Sequence, residues 1–334
     1  MKQAITALKW LGGLLALALL GTALFYFWAS APASDMPAVS FSSAPVAAPT
    51  SSTFSLLTYN VGYAAGAENN SVVGNPIVLF SEEEVATNLA TIIDTVRTLR
   101  PDVLALQEID YDAARSFEVD QLEVLSEQAD YPAMLRGVSW NKNYVPFPGL
   151  RPSRHFGKIV SGQGMLSRLP VVSHEQLILS RADTPFYYDA FYIDRLAQVM
   201  VVETPAPVAV INVHLEHLDK TARRQQLTEV MELYSALSRK YPTVVAGDFN
   251  SVLDEIDVIR DYDDAIADFM SGYGLIEVLA GSGVLTSRSD DEQWKLDHIF
   301  YNPTQLELIE GSKVAVPGNP SDHHALMATF AIPQ

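Results

Sequence analysis

Residues 207–250 read PVAVINVHLEHLDKTARRQQLTEVMELYSALSRKYPTVVAGDFN, and three patterns follow one another in them. Pro207 to His214 is a short, mostly apolar run of strand length and β-branched character. Asp219 then stands where a helix N-cap belongs. After it, Leu227, Val230, Met231, Tyr234 and Leu237 recur at three- and four-residue spacing until Pro242 stops the pattern. Thr243 to Ala246 is a second strand. Strands interleaved with amphipathic helices are the mark of an α/β domain.

The same texture extends outward in both directions. Phe54 to Val61 reads as a strand. Ser81 to Arg100 reads as a helix, with Ser81 as N-cap, Glu84 three residues on, and Val85, Leu89, Ile92, Val96 and Leu99 on one face. Pro101 ends it, and Val103 to Gln107 is a short buried strand. Leu296 to Tyr301 and Leu326 to Ile332 complete the strands, so residues 54–334 form the expected catalytic domain. Periodicity alone does not say whether the strands make one sheet or two.

The first fifty residues have a different character. Lys2 and Lys9 precede an uncharged run from Trp10 to Trp28, about 20 residues and one bilayer crossing. Residues 1–9 are expected to be a cytoplasmic N-terminus, 10–28 a single-pass signal anchor, and 29–53 an Ala/Pro/Ser-rich linker too poor in apolar residues to build a core. This orientation puts the catalytic domain on the periplasmic side of the inner (plasma) membrane. A cleaved signal peptide is the alternative, since Ala29-Ser30-Ala31 has the small residues of a cleavage site; Pro32 directly after it argues against cutting there.

The formal net charge over 334 residues is -18. Long duplex DNA is therefore a poor substrate, because a protein that grips it needs a basic footprint to displace counterions. With no cysteine in the chain, any metal must sit on oxygen or imidazole ligands. One stretch departs from the general acidity. Between Tyr131 and His174 there is no acidic residue, while Arg136, Lys142, Arg151, Arg154, Lys158 and Arg168 are interleaved with Trp140, Tyr144, Phe147 and Phe156. It reads either as a solvated loop or as a substrate-facing insertion, in which Arg154 and Lys158 would meet a phosphate.

Several apolar runs end in a polar residue. They are Asn60, Glu108, His214, and Asp248 with Asn250, while Asp297 precedes His298-Ile-Phe-Tyr. Ligand sites in α/β sheets lie at the carboxyl ends of strands, so these side chains can share one rim. Each alone is as well explained by a turn or cap; together, and with Ser321-Asp322-His323, they suggest a site.

In order, Leu-Thr-Tyr-Asn60, Leu-Gln-Glu108, His214-Leu-Glu, Gly247-Asp248-Phe249-Asn250, Leu-Asp297-His-Ile-Phe and Ser321-Asp322-His323 resemble the endonuclease/exonuclease/phosphatase superfamily. Gly164-Met165-Leu166-Ser167-Arg168 resembles a further strand of that family. The resemblance implies a four-layered α/β sandwich, two packed mixed β-sheets flanked by helices, here with an added transmembrane helix. It further implies hydrolysis of a phosphoester by activated water with Mg²⁺ or Mn²⁺ as cofactor.

On this resemblance Glu108 would hold the metal, with Asn60 beside it to orient Glu108 or contact the ion, Asp248 to orient the attacking water or help with metal, and Asp322 to support the metal side. His323 would be the general base and Asp297 would hold its second nitrogen. Asn250 would donate to the phosphate, and His214, if protonated, to a non-bridging oxygen. Arg195 is an additional candidate cation. Ser321 reads as a turn residue, His324 as a pocket wall, His298 as structural on the opposite face of its strand, and His217 as an exposed loop residue. A zinc hydrolase is disfavoured because His214-Leu-Glu-His217 sits at a strand end without the helical His-Glu-x-x-His spacing. A catalytically dead binding module would be expected to have lost part of the set. The expected substrate is a lipid or small-molecule phosphoester, with short or single-stranded nucleic acid as the alternative, and the catalytic domain is expected to be monomeric.

Overall fold

The computed structural model describes residues 2–332 apart from 48, 50, 68–79, 148–150, 254–265 and 288–290. In chain order its helices are α1 (Lys2–Ser30), α2 (Glu82–Leu99), α3 (Gln121–Gln128), α4 (Phe186–Asp189), α5 (Lys220–Leu237) and α6 (Ala267–Ser271). The strands are β1 (Val39–Ser43), β2 (Thr53–Asn60), β3 (Val103–Asp110), β4 (Ala133–Val145), β5 (Gly157–Ser167), β6 (Val171–Ile178) and β7 (Leu196–Val202). They continue with β8 (Val208–His214), β9 (Thr243–Asp248), β10 (Ile276–Glu277), β11 (Asp297–Tyr301), β12 (Glu307–Val314) and β13 (Ala325–Ala331).

Two mixed sheets result, one in the order β1-β4-β5-β3-β2-β13-β12 and one in the order β10-β11-β9-β8-β7-β6. Their central strands are apolar on both faces because both faces are covered. In β2, Phe54 and Leu56 point to the partner sheet, where they meet Met200, Val210, Val244 and Ile299. Leu57 and Tyr59 point outward against Val85, Leu89, Ile92 and Val96 of α2. The second sheet turns Ile211, Val213 and Val245 outward onto Leu227, Val230 and Met231 of α5. The layers are therefore helix, sheet, sheet, helix. The expected N-cap of α2 is present as a full capping box, Ser81 and Glu84 bonding reciprocally.

A buried polar seam crosses the apolar layer between the sheets. Gln107 Nε2 donates to Asn212 Oδ1 at 2.6 Å and to Thr58 Oγ1 at 3.1 Å, and Asn212 Nδ2 donates to Gln198 Oε1 at 3.2 Å. Hydrogen bonds between amides at such a depth tie the two sheets to one relative placement. That placement matters for the side chains just beyond Gln107.

Two expectations change. The linker is not structureless: Val39–Ser43 pairs antiparallel with β4, from Val39↔Gly137 to Ser43↔Ala133, and Phe41 packs against the inter-sheet core. Alternating Val39, Phe41 and Ser residues suffice for an edge strand, even in a segment too polar to make a core alone. Second, the acid-free stretch is mainly the β4–β5 hairpin. Its tip, residues 148–150, lies outside the described residues. Its cations draw their acids from other elements: Arg136 pairs with Asp120 and Glu123, and Lys158 with Asp112 and Glu118 at 2.7 Å each.

Candidate active site

The sheet topology brings the polar strand ends together. β2 and β3 are parallel neighbours joined through α2, and β8 and β9 are parallel neighbours joined through α5. Both pairs release their carboxyl ends at the same edge of the sandwich. The register sets Asn60 opposite Gln107 and His214 opposite Asp248, while antiparallel β11 sets Asp297 opposite Asp248. Gly247 makes the close approach of β8 to β9 possible. Its φ is +142°, and a Cβ there would lie 2.0 Å from the carbonyl oxygen of Val213.

Glu108 leaves its strand by a bulge. The β3–β5 register slips between Leu106 and Ile109, and Glu108 takes φ +52°, a left-handed conformation costing about 1–2 kcal/mol in a residue with a Cβ. Its side chain is 36% exposed where the rest of β3 is buried, so the strained residue is the one that faces the opening. Asn60 is fully buried and reaches both acids: Nδ2 donates to Glu108 Oε1 at 3.2 Å and to Asp248 Oδ2 at 2.9 Å. Its Oδ1 accepts the Gly62 amide at 3.0 Å, which fixes which end of the amide faces the carboxylates. Asn60 is thus a donor that orients Glu108, with its oxygen turned away.

His323 Nδ1 and Asp297 Oδ2 are 2.7 Å apart, leaving Nε2 directed toward the site, 3.9 Å from Asp248 Oδ2. Burial alone would lower the proton affinity of His323. The Asp297 carboxylate, its hydrogen bond, and the charges of Asp248 and Asp322 outweigh that and hold it well above the usual imidazole range. Ser321 is buried and donates Oγ to the carbonyl of Asn60 at 2.7 Å, while accepting the His323 amide at 3.1 Å. It pins the turn that presents Asp322 and His323 against the end of β2. Burial raises the carboxyl of Asp248 to about 7 and that of Asp322 to about 6; His323 opposes both shifts, and neighbouring acids add to them.

His214 departs from its expected role. Its Nε2 lies 2.9 Å from Arg195 Nη1, and since a guanidinium only donates, this nitrogen accepts. Burial and then the Arg195 charge push its pKa well below the usual value, so His214 is neutral and the cation at this position is Arg195. Arg195 is 6% exposed, with Glu216 Oε2 3.6 Å from Nε and His217 Nδ1 3.2 Å from Nη2. His217 is accordingly half-buried against the site, and burial followed by Arg195 drives its pKa down to about 4. Glu216 was passed over because it sits inside His214-Leu-Glu; its charge opposite an arginine before an apolar strand was the available signal.

The remaining candidates divide. Asn250 takes φ +48°, its amide nitrogen donating to the carbonyl of Leu215 at 3.0 Å, so one of its two amide protons is committed to the fold. Lys158 is held by its two carboxylates and does not join the cluster, and Arg154 is exposed on the turn before β5. His298 is fully buried with Nε2 2.9 Å from the carbonyl of Ser251, and His324 is buried against Glu292 at 2.9 Å.

Two arrangements of donors suit a divalent ion. Asp248, Asp297 and His323 present ligand atoms within 4.8 Å of one another. An ion there would take either the Nδ1 that bonds Asp297 or the Nε2 that faces the site. Glu108 with Asp322, held by Asn60 and by the Ser321 turn, offers carboxylate oxygen without engaging His323, which suits Mg²⁺ or Mn²⁺. The donor set fits such an ion: the buried carboxylates of Asp248 and Asp322 with raised proton affinity, and Asp297 Oδ1 buried with no partner among the described residues, are negative charge short of a counter-cation.

The chain matches the model of the Endonuclease/Exonuclease/phosphatase family over residues 57–323. A search of curated proteins returns no match. Among solved structures, an endonuclease/exonuclease/phosphatase from Beutenbergia cavernae superposes with TM-score 0.64 at 20% identity, covering 84% of this chain and 72% of that one. A humanized D. rerio TDP2 gives 0.54 at 16% identity, covering 84% and 99%. The human Nocturnin catalytic domain with bound sulfate gives 0.52 at 17% identity, covering 91% and 99%. At these identities the likeness to solved structures is one of fold.

Proposed function

Since the chain belongs to the endonuclease/exonuclease/phosphatase family, whose members are phosphoesterases or nucleases, we propose that it hydrolyses a phosphoester with a divalent metal and an activated water. The observation that carries this is the His323–Asp297 pair, its Nε2 facing an acidic pocket that holds the buried Arg195. His323 takes a proton from water as the oxygen forms its bond to phosphorus. The bond from phosphorus to the leaving oxygen breaks, and the proton is then available to that oxygen. Asp297 fixes the tautomer and stabilises the imidazolium. Arg195, anchored by Glu216 and by the neutral His214, is placed to donate to a non-bridging oxygen, and Asp248 to orient the water. Glu108 and Asp322 would hold Mg²⁺ or Mn²⁺, which supplies positive charge to the phosphoryl oxygens when bound.

The substrate we favour is a lipid or small-molecule phosphoester outside the cytoplasm, and the net charge of -18 supports that preference over long DNA. The apolar helix Ile5–Ser30 is an anchor or a signal sequence by its length and composition; the anchor fits the proposed substrate. The test is a metal-supplemented screen of the purified full-length chain against phospholipids, inositol phosphates, sugar phosphates and short single-stranded nucleic acids. Turnover of a phospholipid or small phosphoester is expected. Exclusive turnover of nucleic acid would favour the nuclease reading.

A further inference from the structure

The most exposed aromatic cluster outside α1 lies on α4. Phe186 is 79%, Tyr187 60% and Tyr188 49% exposed. Three adjacent rings in water are costly to leave bare, and such a patch on a soluble surface marks a contact. What covers it is indicated by its neighbour, α1. The hydroxyl of Tyr26 donates to the carbonyl of Phe186 at 3.1 Å, and the Tyr26 and Phe191 rings meet edge to face with centroids 5.7 Å apart.

α1 is also joined to the domain without an intervening tether. A helix leaves its last carbonyls without partners, and here β4 supplies them. Lys142 Nζ donates to Ser30 O at 3.1 Å and Asn143 Nδ2 to Trp28 O at 3.0 Å, with the Asn143 amide on Ala31 O at 2.9 Å. Tyr144 stacks on Trp28, centroids 6.2 Å apart. The domain therefore caps the helix end, and its height relative to α1 is set.

That height decides the occupant. The uncharged run from Trp10 to Trp28 spans about 28 Å at 1.5 Å per residue, close to the ~30 Å hydrocarbon core, which puts Trp28 at the interface. Tyr26 lies two residues deeper, and α4 rests against it. The exposed rings of α4 thus stand level with the last turn inside the lipid, at the boundary where Tyr, Trp and Phe are favoured. Arg154 adjoins His155, whose Nδ1 lies 2.9 Å from the hydroxyl of Tyr144, and it is exposed with no ion pair among the described residues, so a cation stands near the ring that stacks on Trp28.

We infer that α4 and the end of α1 form one interfacial face that seats the catalytic domain on the bilayer, with the Arg195 side of the active site toward the lipid headgroups. The orientation follows from contacts: Tyr188 meets Tyr192 at 6.4 Å between ring centroids, and the Tyr192 hydroxyl donates to Glu216 at 2.5 Å. Glu216 holds Arg195, and Arg195 meets His214. Four contacts link the inserted face to the site. The substrate presented there is a phosphoester carried in the leaflet that α1 leaves. This inference rests on the proposal that α1 is an anchor, but its readout does not depend on turnover.

The chain lacks cysteine, so single labels are placed cleanly. Tyr187→Cys, Leu17→Cys and Ile309→Cys, each in the full-length chain, carry an environment-sensitive fluorophore and are reconstituted into phosphatidylcholine–phosphatidylglycerol vesicles with a quencher on the acyl chains. Phe186→Cys duplicates the first site should labelling at Tyr187 perturb folding. Loss of fluorescence is expected at Leu17 and at Tyr187 or Phe186, with none at Ile309, which is exposed on the far edge strand β12. Quenching at Leu17 alone would show a domain that stands off the membrane and would overturn the docked face while leaving the anchor. Absence of quenching at Leu17 would remove the anchor and the docked face together. Equal quenching at Ile309 would refute a specific face.

Discussion

Replacing Asp297 by asparagine removes one charge and almost no volume from a fully buried position. Its carboxylate makes the 2.7 Å bond to His323 Nδ1 and is the foremost influence raising that imidazole's proton affinity against burial. Without it, burial dominates and the pKa of His323 falls. The sign on activity follows: the base works when neutral, so the acidic limb of the pH–rate profile moves to lower pH in the variant. The plateau falls even so, because nothing then holds the tautomer with Nε2 free or stabilises the imidazolium. The matching substitution in other His–Asp pairs costs about 10⁴-fold in turnover, or about 5.5 kcal/mol at the transition state. Stability should hold or rise, since Asp248 and Asp297 are buried acids facing each other across the β9–β11 register. The assay is turnover against pH with thermal melting on the same preparation. A variant within tenfold of the parent at its plateau, or with an acidic limb displaced upward, would refute the assignment of the pair.

Three further outcomes follow. His323→Ala should abolish turnover with an unchanged melting temperature and far-UV circular dichroism, and retained turnover would remove it as the base. Glu216→Gln should destabilise through its partner. Burial raises the Glu216 carboxyl, but Arg195 and the Tyr192 hydroxyl bring it down to about 2 against an ordinary 4.5. Its stabilising share, about 3 kcal/mol by linkage, is complete above pH ~4.5 and lost as pH falls through ~2. Urea melts of parent and variant should accordingly converge in acid, and a pH-independent gap would contradict this. Phe41→Ala should cost about 2 kcal/mol by denaturant melting, from burial lost at a half-buried ring, whereas a change within about 0.5 kcal/mol would mark the segment as a loose tether.

Much of the fold was legible because its signals are local. The capping box at Ser81, the prolines that stop α2 and α5, and the apolar runs ending in Asn60, His214 and Asp248 are all properties of neighbouring residues. The pairing of the sheets was not legible by periodicity, since a strand buried on both faces looks the same in either sheet; the family resemblance supplied it. Edge strand β1 was missed because its stability comes from β4, almost a hundred residues away, and little from its own composition. At the site, the residue types at strand ends were readable, but their protonation was not. His214 is neutral because it is buried and because Arg195 lies against it, and Lys158 is occupied because Asp112 and Glu118 fold onto it. These are contacts between elements, invisible along the chain. Part of the apparent excess of base between Tyr131 and His174 was similarly an effect of reading one strand pair without its partners, since Arg136 and Lys158 are matched by acids from other elements.

Dependence on a divalent metal tests the central claim most directly. The purified full-length chain would be stripped with EDTA, and hydrolysis of bis(p-nitrophenyl) phosphate followed before stripping, after it, and after adding back Mg²⁺ or Mn²⁺. Turnover that disappears on stripping, returns with either ion, and fails to return in Glu108→Gln is the expected result. Turnover that persists without metal would contradict the account.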